Sequence, residues 1–236
     1  MIVERFEVTS GDHMVAGILS LPGDAGRFPC AVLSHGLVSS KESSKYIYLS
    51  ERFTAAGIAA CRFDYHGCGE SGGNITQTTL TIRVRDLESV LDRLARHTSV
   101  DPDRIGILGS SFGGSTALVE AAKNQKIRCV ALWATPYMLE NKEDESISDI
   151  HFESSIFEDF STYDLLGEAR KISRAIVVHG ELDEVVSCAE GKAIYDNVRE
   201  PKKLIVIKGA DHTFTDLAHR DKAAELSLVW FKRYLR

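Results

Sequence analysis

Short apolar runs alternating with helix-like stretches restrict this chain more than any other feature. "CAVLSH" (30–35), "IAACRFD" (58–64), "RIGILG" (104–109) and "RCVALWA" (128–134) are separated by helix-like segments at 46–56, 80–96 and 115–123. A strand with one face in water alternates apolar and polar residues; these runs are apolar throughout, so both their faces are covered. A helix between two such strands carries the chain back to its starting end, which makes the strands parallel. The longest helix, 80–96, places Leu80, Val84, Leu87, Leu91 and Leu94 close to a 3.6-residue period. The rhythm stops after Ala134. It resumes with "RAIVVHG" (174–180), a helix over 188–198, "KKLIVIKG" (202–209) and a last helix over 216–234. Ahead of all this, residues 2–10 and 14–21 read as two strands joined by the turn signal "GDH". The expected fold is α/β, a mostly parallel eight-stranded sheet with helices on both faces.

A length of 236 residues suits a single domain, and the chain contains no repeat or low-complexity linker. The irregular stretch 136–170 is then an insertion, the kind of segment that often forms a lid. Residues 140–170 hold ten acidic and two basic side chains, net −8, against −6 for the whole chain. Such a balance argues against nucleic acid as a partner. If the acidic stretch borders an entrance, it disfavours anionic substrates. The cysteines, Cys30, Cys61, Cys68, Cys129 and Cys188, are odd in number and form no CxxC pair. Reduced, mostly buried thiols and a cytoplasmic setting are expected, with Cys68 in its glycine loop the one open to exposure. No apolar stretch approaches the roughly 18 residues of a membrane span, and "MIVERFEVTS" lacks the pattern of a secretory leader. No membrane partner is expected.

In open parallel sheets, ligands gather at the carboxyl ends of the strands. The strand "RIGILG" runs into "SSFGGS" and then a helix. Gly109 and Gly114 have P-loop spacing, but the lysine that would follow is missing. A dinucleotide G-x-G-x-x-G fails as well. What fits is G-x-S-x-G over Gly109–Gly113, a strand–turn–helix that presents a nucleophilic serine. Side chains two residues before and after the serine would meet neighbouring backbone, so both positions call for glycine. Ser110 would need glycine at Leu108 and Phe112; Ser111 has it on both sides.

A serine hydroxyl needs a base to take its proton. His212, in "GADHTF" after the last strand, falls at the same sheet edge as Ser111. His97 ends one helix and His219 lies within another, and both are expected in solvent; no strand positions His151. The base in turn needs a carboxylate to hold its tautomer. Asp183 follows the strand ending at His179, just before the apolar pair Val185–Val186 that can close over it. Asp211 is expected to shape its own turn and Asp64 to hold a loop. A metal cluster of His179, Asp183, Asp211 and His212 has no compact ligand spacing and leaves Ser111 unexplained. No metal or other cofactor is expected.

The order Ser111, Asp183, His212, with "SHGL", "DYHGCGESGG", "GSSFGG", "HGELDEVV" and "GADHTF", resembles the serine hydrolases of the α/β-hydrolase superfamily. Among them it is most similar to small bacterial carboxylesterases of the feruloyl and cinnamoyl type. The resemblance covers nearly the whole chain and is weakest over 136–170. It implies the α/β-hydrolase fold, an oxyanion hole from the backbone N–H groups of Leu37 and Phe112, and a small cap inserted at about 136–170 over the serine. The cap's apolar residues are expected mostly to form its own small core. Val38, Tyr137 and Val186 are candidates for the substrate pocket. The implied activity is carboxylic ester hydrolysis on a small-molecule ester, and a homodimer is compatible with the sequence. Two alternatives share the fold: a peptidase, which usually adds a domain for its substrate chain, and a thioesterase, for which a basic patch would suit CoA. A non-catalytic binding protein would leave the Ser–Asp–His pattern without a purpose.

Overall fold

The computed structural model of the chain describes residues 1–139 and 150–236. Eight strands form one sheet: β1 (Ile2–Ser10), β2 (His13–Leu21), β3 (Phe28–Ser34), β4 (Ala59–Phe63), β5 (Val100–Ser110), β6 (Ile127–Trp133), β7 (Ala175–Gly180) and β8 (Lys202–Ile207). Their order across the sheet is β1-β2-β4-β3-β5-β6-β7-β8. The β1–β2 hairpin and the β2–β4 pair are antiparallel; every other pairing is parallel. The helices are α1 (Ser44–Ala55), α2 (Leu80–Ala95), α3 (Phe112–Lys123), α4 (Ser155–Ser161), α5 (Leu165–Ala169), α6 (Cys188–Asn197) and α7 (Leu217–Tyr234).

The two-residue period of a strand sends neighbouring side chains to opposite faces. Ile107 of β5 joins a core with Leu87, Leu118, Leu132 and Ile194, under α2, α3 and α6. Its neighbour Leu108 joins Leu49, Phe53, Trp133 and Phe231, under α1 and α7. Both faces are therefore buried, and function is left to the loops leaving the strand ends. Helix α3 starts at Phe112, three residues before the expected point, because the turn at Ser111 leads straight into it.

The insertion differs from expectation. Among its described residues, Ile156, Phe160, Leu165 and Ala169 are buried in the same cluster as Phe112 and Leu118, with Phe152, Phe157 and Tyr163 packed against it. Helices of seven and five residues are too short to hold an apolar face together by themselves, so they lie on the main core. Five of the ten acidic residues fall within 140–149, outside the described residues. Three of the others act locally. Asp159 accepts from the N–H and hydroxyl of Thr81 at 2.9 and 2.6 Å, Asp164 caps α5 through Gly167 N–H at 2.8 Å, and Glu168 pairs with Lys171 at 2.7 Å.

All five cysteines are free, and Cys68 is buried rather than exposed, its sulfur 3.7 Å from the carbonyl of Leu37. His97 is not in solvent either. Its Nε2 lies 2.9 Å from Glu4 Oε2 and its Nδ1 accepts from Ser99 N–H, fastening the end of α2 to β1. No described helix is long and apolar enough to cross a membrane.

One buried acid makes stability depend on pH. Glu120 on α3 is almost fully buried. Asn124 donates to its Oε1 at 3.0 Å, while Oε2 has no partner among the described residues. Burial, reinforced by the carboxylates of Glu88 and Asp92, pushes its carboxyl up to about 7. Because the folded value exceeds the unfolded one, the contribution to stability is full below the ordinary glutamate range and is lost as pH rises towards 7. Glu120→Gln is expected to remove this loss. Between about pH 5 and about pH 8 the wild type should lose roughly 2 kcal/mol relative to the variant in urea unfolding. Equal pH dependence in the two proteins would contradict this.

Candidate active site

Ser111 stands between the end of β5 and the start of α3 with φ 56° and ψ −132°. A positive φ at a non-glycine residue costs about 1–3 kcal/mol and persists only where the surroundings enforce it. Here they do. Ser111 N–H donates to Trp133 O at 2.8 Å, and Gly114 N–H donates back to Ser111 O at 2.7 Å. The flanking glycines are required sterically. A β-carbon on Gly109 would stand 2.3 Å from Gly113 O, and one on Gly113 would stand 2.4 Å from the carbonyls of Ser34 and His35.

His212 reaches the serine from the loop after β8. Its Nε2 lies 3.0 Å from Ser111 Oγ, and its Nδ1 lies 2.9 and 3.0 Å from the two oxygens of Asp183. The carboxylate fixes the hydrogen on Nδ1, which leaves the Nε2 lone pair for the serine hydroxyl. Local contacts hold the loop. Asp211 accepts from Thr215 N–H at 2.8 Å, in the turn-shaping role expected of it. Phe214, fully buried, packs edge-on against Trp133.

The Asp183 side chain is fully buried. Its Oδ1 accepts the N–H groups of Val185 at 3.0 Å and Val186 at 2.8 Å. His179, also buried, places Nε2 3.2 Å from Asp183 Oδ2 and 2.9 Å from Val186 O. Burial disfavours the charge, but hydrogen bonds from His179, His212 and Val186 outweigh it and hold the carboxyl well below the usual range. The pair Val185–Val186 serves Asp183 through backbone rather than as an apolar cover, since Val185 is exposed.

Phe112 follows the serine in the chain, and Leu37 follows Gly36. Gly36 touches the serine: a β-carbon there would be 3.4 Å from Ser111 Cβ. Neither the Leu37 N–H nor the Phe112 N–H has a protein acceptor among the described residues. Of the three pocket candidates, Val38 is exposed next to Leu37 and Val186 is buried as described. Tyr137 is half-buried against the main core, its N–H held by Glu190 Oε2 at 3.1 Å. His151 is exposed, and it falls outside the hydrogen-bonded group. Asp64 holds its loop, taking Lys41 N–H at 2.6 Å, Lys41 Nζ at 2.5 Å and Glu70 N–H at 2.9 Å.

Three further residues support these groups. Lys45 on α1 donates to Ser110 Oγ at 3.0 Å, and burial together with Arg220 lowers its ammonium to about 8. His179 stands at the strand end that the sequence shows, but its contact with Asp183 is not legible there. Arg83 lay in view as a charge on the apolar side of α2, between Leu80 and Leu87.

Among relatives, a 31.7 kDa protein from the traX-finO intergenic region of Escherichia coli is 31% identical over 104 residues, 44% of this chain and 36% of that protein. The mitochondrial palmitoyl-protein thioesterase ABHD10 of Bos taurus is 32% identical over 89 residues, 38% of this chain and 27% of that protein. The chain thus spans about a third of the length of these curated relatives. Est1E from Butyrivibrio proteoclasticus, solved with ferulic acid bound, superposes with a TM-score of 0.86 at 19% identity, covering 96% of this chain and 99% of that one. This likeness shows the α/β-hydrolase fold. The model of the prolyl oligopeptidase family matches residues 48–236, from α1 to the end of the chain. The chain belongs to that family of α/β-hydrolases.

Proposed function

We propose that the protein is a serine hydrolase that cleaves carboxylic esters through an acyl-enzyme on Ser111. The observation that carries this reading is the hydrogen-bonded line Ser111 Oγ, His212 Nε2, His212 Nδ1, Asp183, assembled from three loops at one sheet edge. Ser111 Oγ attacks the carbonyl carbon while its proton passes to His212 Nε2. Asp183 keeps the ring in that tautomer and stabilises the imidazolium. The N–H groups of Leu37 and Phe112 receive the negative oxygen. As the tetrahedral intermediate collapses, His212 returns the proton to the departing alcohol. Water then gives a proton to His212 as it attacks the acyl carbon, and His212 passes that proton to Ser111 Oγ as the acid leaves, which restores the serine. Val38, Tyr137 and Val186 are assigned to the pocket walls, and the chemistry needs no cofactor.

The family match supports peptide hydrolysis as a second reading, since the same three residues can open an amide. A panel of p-nitrophenyl esters of increasing acyl length, methyl ferulate, acyl thioesters and aminoacyl anilides separates the readings. The ester reading expects p-nitrophenyl ester turnover, with the acyl group found on the Ser111 peptide after an acid quench. Turnover of anilides alone would replace it with the peptidase reading.

A further inference from the structure

We infer that Arg83 is a positioning residue for the oxyanion site, a guanidinium that sets the direction of the Leu37 N–H by holding the carbonyl of Gly36. The inference rests on the serine hydrolase reading above.

Arg83 is fully buried on α2. A buried guanidinium is costly unless its charge and donors are used. Among the described residues no carboxylate pairs with it. Instead it faces three consecutive carbonyls: Nη1 donates to His35 O at 3.2 Å, and Nη2 to Gly36 O at 3.1 Å and Leu37 O at 3.2 Å. Its plane is packed between aromatic rings, 4.3 Å from the centre of Tyr65 and 5.2 Å from that of Phe112. The same side chain therefore touches both segments to which the oxyanion N–H groups are assigned.

The geometry of a peptide explains why this matters. The carbonyl of Gly36 and the N–H of Leu37 belong to one planar trans unit and point in opposite directions. Fixing the oxygen fixes the N–H. Gly36 O receives a second donor, His35 Nδ1, at 2.7 Å. That imidazole is itself set: Tyr65 N–H donates to its Nε2 at 3.0 Å, so Nδ1 carries the hydrogen. Burial and the charge of Arg83 hold His35 well below its usual titration range, in the neutral form this arrangement needs. A carbonyl bound to a cation also polarises its peptide unit, which makes the opposite N–H a stronger donor. On the other side, Arg83 and the ring of Phe160, 5.4 Å away, hold Phe112 in place.

Arg83→Lys keeps a buried cation but loses the planar fork that spans three oxygens. Arg83→Gln keeps a neutral donor and removes the charge, and serves as the second variant. Losing a whole oxyanion donor costs about 100- to 1,000-fold in kcat, so a misdirected one is expected to cost roughly 10- to 100-fold. The expected pattern is that loss in kcat on a p-nitrophenyl ester with KM within about twofold. Affinity for an alkyl boronic acid, whose tetrahedral adduct on Ser111 imitates the transition state, should fall in step with kcat/KM. A purely structural role would lower the melting temperature without this split. A folded Arg83→Lys or Arg83→Gln protein with wild-type kcat and boronate affinity would overturn the positioning role alone. A wild type that neither turns over esters nor binds the boronate would overturn it together with the hydrolase reading.

Discussion

Ser111→Ala is expected to lower ester turnover by about a million-fold, to the level left by binding and the oxyanion donors alone. Among the described residues no neighbouring hydroxyl can take over. Ser110 is buried and its Oγ accepts from Lys45 Nζ at 3.0 Å, whereas among the described residues only Ser111 Oγ meets His212 Nε2. Ser110→Ala is the matched control and should keep most of its activity, since its hydroxyl lies outside the proton path. Steady-state kinetics on one p-nitrophenyl ester check both. Comparable losses in the two variants would mean that the turn, and not one hydroxyl, is what matters.

Asp183→Asn is expected to cost about 10,000-fold in kcat while the protein stays folded. The direction follows from the donors around the side chain. Val185 and Val186 both present N–H groups to Oδ1, so the asparagine must place its carbonyl oxygen there. Its NH2 then replaces Oδ2, 2.9 Å from His212 Nδ1. The amide NH2 repels the Nδ1 hydrogen and leaves it only the 3.0 Å contact to the oxygen already shared by two N–H groups, which favours moving the hydrogen to Nε2, where the ring can no longer accept from Ser111. The backbone clamp leaves the amide no favourable flip. Retention of even a tenth of wild-type kcat would show that Asp183 does not set the tautomer.

Much of this arrangement was legible in the sequence because it sits where patterns are strongest. Apolar runs buried on both faces identify the parallel strands, and glycine two residues either side singles out Ser111. A strand end followed by a short loop places Asp183 and His212. What escaped lies between elements. Arg83 and Asp86 are both fully buried on α2, and a charged residue inside an apolar stripe says only that partners exist, without naming them. Those of Arg83 are carbonyls of a loop nearly fifty residues earlier. Those of Asp86 are Ser10 at 2.6 Å, His13 at 2.9 Å and the N–H of His66 at 2.9 Å. The burial of Cys68 and the pairing of His97 depend on how distant segments close over them. The insertion's apolar residues are visible in the sequence, but the apolar surface that accepts them is built by α2 and α3, far from them along the chain.

In the proposed reaction one serine is activated by one histidine. A fluorophosphonate probe, which phosphonylates such a serine in step with its reactivity, tests it most directly when the labelled peptide is identified by mass spectrometry. Labelling of the peptide containing Ser111, at that residue, lost in Ser111→Ala and strongly slowed in Asp183→Asn, is the predicted result. Absence of labelling in the wild type, together with no turnover of any p-nitrophenyl ester, would contradict the account.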